Sequence, residues 1–138
     1  MKPCFKSYLI RVPFAGVFVY HGMGKLIMPV ASAEMLGLSV FLVVLVGIAE
    51  LLAGIGALVG GWPGFEKAPL VDRLTGLAAA PVMVGAIAMV HWPRWSFVPT
   101  PEFPLGGMEF QVLLLGLSLY WLLGGRLQTH ATPSCATS

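Results

Sequence analysis

The sequence predicts an all-α integral membrane protein built as a bundle of four transmembrane helices. Three observations carry that expectation. Of 138 residues, 57% are hydrophobic and only 10% are charged, where soluble domains carry about 25% charged residues. The mean hydropathy is +0.86. The apolar residues also gather in four stretches, each long enough for a hydrocarbon core of about 30 Å at about 1.5 Å per residue.

The first expected span covers residues 8–28 and ends at Pro29, with His21 and Lys25 inside its "YHGMGKL". Its apolar run outlasts the core of a secretory signal, and no small-residue cleavage site precedes Lys25, so an integral helix is expected. The second covers residues 37–61, has Glu50 as its sole charge and stops at the helix-breaking "GGWPG". The third, residues 71–91, begins with Asp72 and Arg73 and closes at His91 before Pro93. The fourth, residues 107–125, opens with Glu109 and passes into a polar tail, 126–138. Between the last two lies "WPRWSFVPTPEFPLGG", whose prolines make a stiff, irregular connection. The whole chain, 1–138, reads as one domain.

With four spans, Lys2, Lys6, Arg11, Lys67, Arg73 and Arg126 share one side, against Lys25 and Arg94 on the other. The positive-inside rule then puts both termini in the cytoplasm. Trp92, Trp95, Phe97 and Phe103 are expected in an outer aromatic belt. Trp62, Phe65, Tyr120 and Trp121 are expected near the inner face. A net charge of +2 without a basic run excludes nucleic acid as a partner. Cys4 and Cys135 lie in the two tails without ligand spacing and read as free thiols.

Glu50 is the sharpest signal. A carboxylate near the bilayer centre must be protonated, paired or wetted, and such residues often mark proton or ligand paths. Measured along the helices, His21 lies about 4–5 Å outward of the midplane and Lys25 about 10 Å. His21 is thus the partner nearest to Glu50 in depth. Lys25, His91 and Glu109 share a shallower outer level. These five read either as one polar pocket or as separate contacts that fix packing. Arg11, Asp72 and Arg73 form an inner set expected to snorkel at helix ends. A haem between His21 and His91 is disfavoured, because the two imidazoles differ in depth by about 9 Å. No zinc-ligand spacing and no dinucleotide, Walker or nucleophile motif appears.

The ordered set of "HGMGKL", "AELLAGIGALVG", "DRLTGLAAAPVMVGAIAMVH" and "GGMEFQVLLLGLSLYWLLGG" resembles the DoxX family of small four-helix membrane proteins. The resemblance implies a subunit of a quinone-linked redox complex, related to the membrane subunit of thiosulfate:quinone oxidoreductase, in a bacterial or archaeal cell membrane. It implies Glu50 and His21 as catalytic candidates. His21, Lys25, His91 and Glu109 become candidates for holding a quinone. No haem, flavin or metal is expected, so the chain would have no redox centre of its own. The expected partners are the lipid bilayer, other membrane or peripheral redox subunits and a second copy of the chain. The alternative is a non-catalytic accessory subunit that stabilises a larger membrane complex.

Overall fold

The computed structural model describes residues 5–62 and 64–125. The tail 126–138, Cys4 and Cys135 lie outside the described residues. Within them the chain forms five α-helices and no strand: α1 (Phe5–Ile27), α2 (Pro29–Leu36), α3 (Val40–Val59), α4 (Ala68–Ala86) and α5 (Glu109–Leu122). A π-helical turn, Ile87–His91, continues α4.

The first helix ends just before Pro29, as expected, and Pro29 begins another. It opens α2 at the first turn, where a missing N–H costs no helical bond. The α1 and α2 axes differ by 106°. Gly37 ends α2 in the left-handed conformation (φ 65°) and donates to the carbonyls of Ala33 and Glu34. Ser39 then caps α3, its hydroxyl accepting from Leu42 N at 3.3 Å.

By length and composition, two helices can cross a membrane, Val40–Val59 and Ala68–His91, and the bent α1–α2 pair makes a third if taken as one span. The expected fourth span, 107–125, is helical only over the 14 residues of α5, about 21 Å at 1.5 Å per residue. The Pro-rich connection explains its late start. Gly107, Met108 and Glu109 donate their N–H groups to the carbonyls of Ser96, Arg94 and Trp95 at 2.8–3.0 Å. Backbone carbonyls thus take the N–H groups of the cap residue Met108 and of Glu109, in place of a side-chain cap.

Helix α1 packs on α3, α3 on α4 and α4 on α5, each pair antiparallel. Two glycines bring helix backbones together. A Cβ at Gly22 would lie 2.8 Å from Gly47 O and 3.1 Å from Glu50 Cβ, so α1 and α3 touch backbone to backbone. A Cβ at Gly76 would run into Ser118 O and Leu122 N on α5. The core fills the end of the bundle holding the start of α1. Phe14 stacks on Phe18 with centroids 4.4 Å apart and meets Trp121 edge-on at 4.7 Å, among Ala53, Ala57 and Ala79. Trp121 therefore belongs to the core and not to the expected aromatic belt.

Arg11 and Asp72 do not snorkel. They are 6% and 1% exposed and form a two-pronged ion pair, 2.7 and 3.0 Å. Arg11 also donates to Ala57 O at 2.9 Å and lies 5.1 Å from the Trp121 ring centre. One guanidinium thereby ties α1 to α3, α4 and α5, because its planar fork can serve several partners at once. Arg73 stays exposed, as a helix-end anchor should. Leu9, Phe41, Leu52, Leu70 and Leu74 are also exposed, an apolar outer surface suited to lipid.

Candidate functional site: a cavity between α1 and the α4–α5 pair

Beyond the Phe18 level direct packing gives way to a cavity of about 1900 Å³. The second half of α1, α2 and the first half of α3 form one side, and α4, the π turn and the start of α5 form the other. Its wall is mostly apolar, with Phe18, Met83 and Leu114 at the core end. His21, Lys25, Glu50, His91 and Glu109 all border it. The five residues singled out from depth therefore share one cavity, but not in the pairs that depth suggested.

Glu50 pairs with Lys25 and not with His21. The ammonium donates to both carboxylate oxygens, 2.9 and 2.8 Å. The cause is local. Gly22 and Gly47 bring the helices together three residues before Lys25 and three before Glu50, so both side chains meet beside the contact. Lys25 spends two of its three hydrogens on Glu50 and keeps one. His21 lies edge-on to Tyr20, ring centroids 5.5 Å apart, on the same cavity wall.

Lys25 accordingly does not reach toward His91 or Glu109. Glu109 Oε2 accepts from Phe97 N at 3.3 Å and helps hold the Pro-rich connection against α5. His91, buried, is presented by the π turn, in which Trp92 N bonds Ile87 O at 2.9 Å. Such a wide turn rotates the residues after it away from α-helical register and recurs at functional sites. His91 Nδ1 sits 3.0 Å from Gly106 O, and Nε2 sits 2.9 Å from Gln111 Nε2. A carbonyl can only accept, so Nδ1 carries hydrogen. When the ring is neutral, Nε2 accepts from the Gln111 amide.

Gln111 is the site residue that sequence reasoning missed. It is neutral, and a search by charge and depth passes over it. Its signal was its position, two residues after Glu109 at the level of His91, whose second nitrogen needed a partner. Among the described residues, no three of His, Cys, Asp and Glu come together as a metal site. The site combines a neutralised ion pair, an imidazole with a fixed tautomer and a large apolar chamber. That donor set suits a ring-bearing amphiphile with polar oxygens.

Residues 7–92 match the protein family described as DoxX. No curated protein and no solved structure matches the chain.

Proposed function

The chain is a membrane protein that belongs to the DoxX family, and from that premise and the cavity's chemistry we propose that it is the quinone-holding membrane subunit of an electron-transfer complex. On this reading it crosses a bacterial or archaeal cell membrane several times, with both termini cytoplasmic. The single observation that carries the proposal is the convergence of His21, Lys25, Glu50, His91 and Glu109 on one apolar cavity. A quinone offers carbonyl oxygens on an apolar ring and tail. The remaining hydrogen of Lys25 and the His21 imidazole are donors for those oxygens, while the apolar wall takes the ring and tail. Glu50, held by Lys25, is the group suited to accept or release a proton. A bound quinone supplies the redox chemistry, and partner subunits supply the electrons.

Trp95 borders the cavity, so a quinone there quenches its fluorescence. Titration of the protein in lipid nanodiscs with a short-chain quinone is expected to show saturable quenching. His21→Ala and Glu50→Gln are each expected to weaken binding about tenfold, the worth of one lost polar contact of about 1.4 kcal/mol. Unchanged affinity in both variants, or no saturable quenching in the parent protein, would defeat the proposal.

One observation favours a second reading. The Lys25–Glu50 pair satisfies both charges without a ligand, as a purely structural pair does. The chain then serves as an accessory subunit, and its partners are lost when the pair is broken while quinones bind nowhere in the cavity.

A further inference from the structure

Among the described residues, two buried side-chain polar atoms lack a hydrogen-bond partner, Thr75 Oγ1 and Gln111 Oε1. Thr75 packs against Gly56 in the α3–α4 contact, whereas Gln111 borders the cavity. The Gln111 orphan follows from its neighbours. Gly106 O holds hydrogen on His91 Nδ1, so in the neutral ring His91 Nε2 is an acceptor and Gln111 turns its NH₂ toward it. That leaves the amide oxygen without a hydrogen-bond partner. A buried acceptor left without a donor costs about 1–3 kcal/mol, recovered when a donor arrives.

We propose that Gln111 Oε1 accepts a hydrogen bond from a hydroxyl of the cavity's ligand, so that the cavity favours a hydroquinone over the corresponding quinone. The inference rests on the quinone reading above and names which form of that ligand the site selects. Around the cavity the Lys25 ammonium supplies a donor and Gln111 supplies an acceptor. A carbonyl oxygen answers only the first. A hydroxyl answers either, since it both donates and accepts. The terminal torsion of a glutamine is broad. Oε1 is covered in this conformation, and a turn of the amide about that torsion brings it toward a ligand in the cavity.

His91 acts here as a positioning residue. Its tautomer, fixed by Gly106, decides which end of the amide faces the ligand. Beside the neutral ring the flipped amide would set two hydrogen-bond acceptors, Gln111 Oε1 and His91 Nε2, against each other.

The test uses the full chain in nanodiscs and displacement of a fluorescent short-chain quinone. The competitors are decylbenzoquinol, kept reduced without air, and its bis-methyl ether, which has the same ring and tail but no hydroxyl hydrogen. The quinol is expected to displace the probe at a concentration about tenfold lower than the ether, the margin of one buried hydrogen bond. Gln111→Met is expected to raise the quinol's concentration to that of the ether and to leave the ether unchanged. Equal displacement by the two competitors in the parent protein would overturn the inference. So would a margin that survives Gln111→Met, which would trace it to the bulk of the methyl groups. Failure of the fluorescent quinone itself to bind defeats the quinone reading, and this inference falls with it. The quinol-to-ether comparison in the parent protein needs no variant to fold.

Discussion

Lys25 and Glu50 face each other at 2.8–2.9 Å with little exposure, 16% and 5% of their side chains. Removing one partner of such a pair strands a charge in a medium that solvates it poorly, which costs about 3–5 kcal/mol. Lys25→Met is therefore expected to destabilise the protein by about 3 kcal/mol. Lys25→Met with Glu50→Leu should recover most of the loss. Thermal unfolding of the single and double variants in one detergent checks this. Two independent, additive losses would show that the residues do not depend on each other. The pairing itself was only half legible. Depth counted along a helix places α-carbons, whereas a lysine stem spans more than a helical turn and can reach inward as well as outward. His21 was level with Glu50, but the Gly22–Gly47 contact decided which side chain arrived. Arg11 and Asp72 carry the same lesson. Opposite charges on the same end of two helices read as separate anchors, until packing brings them to 2.7 Å and buries both.

At the scale of elements, helix approach depends on a few small residues. Gly22 has Gly47 O, Glu50 Cβ and Leu51 Cγ within 3.1 Å of where a Cβ would stand, whereas nothing lies within 4 Å of one at Gly16. Gly22→Val is thus expected to push α1 from α3, separate Lys25 from Glu50 and destabilise the bundle by about 1–3 kcal/mol. Gly16→Ala should be neutral or slightly stabilising, since alanine suits a helix better by about 1 kcal/mol. Thermal unfolding distinguishes the two. Equal effects would deny the close α1–α3 contact. The apolar stretches behind α3 and α4 were legible as membrane spans because burial in lipid needs only length and composition. The bent α1–α2 pair counts as a span only if taken as one, and the fourth stretch forms just the 14 residues of α5. Two elements were not legible. Pro29 reads equally as a stop and as the first residue of a new helix, and only the packing of α2 on α3 decides. The π turn at Ile87–His91 differs from an α-helical turn by one residue of register, which no hydropathy pattern records.

At the scale of the whole molecule, the two ends of the bundle differ in charge. The turn between α3 and α4 and the connection between α4 and α5 lie at opposite ends of α4. Among the described residues, the first belongs with the end that gathers Arg11, Lys67 and Arg73, and Arg94 is the basic residue of the second. Exposed aromatic residues mark both ends, Trp62 at one and Trp92, Trp95 and Phe97 at the other, as at membrane interfaces. The cavity's polar residues His91, Glu109 and Gln111 all lie toward the Arg94 end, so orientation decides which compartment that end of the cavity faces. The charge bias predicts that this end faces outward. With Cys4→Ser and Cys135→Ser removing the native thiols, Ser96→Cys should label with a membrane-impermeant maleimide in intact cells. Glu66→Cys should label only after the membrane is opened. The reverse pattern would turn the chain over and place the His91–Gln111 end of the cavity in the cytoplasm.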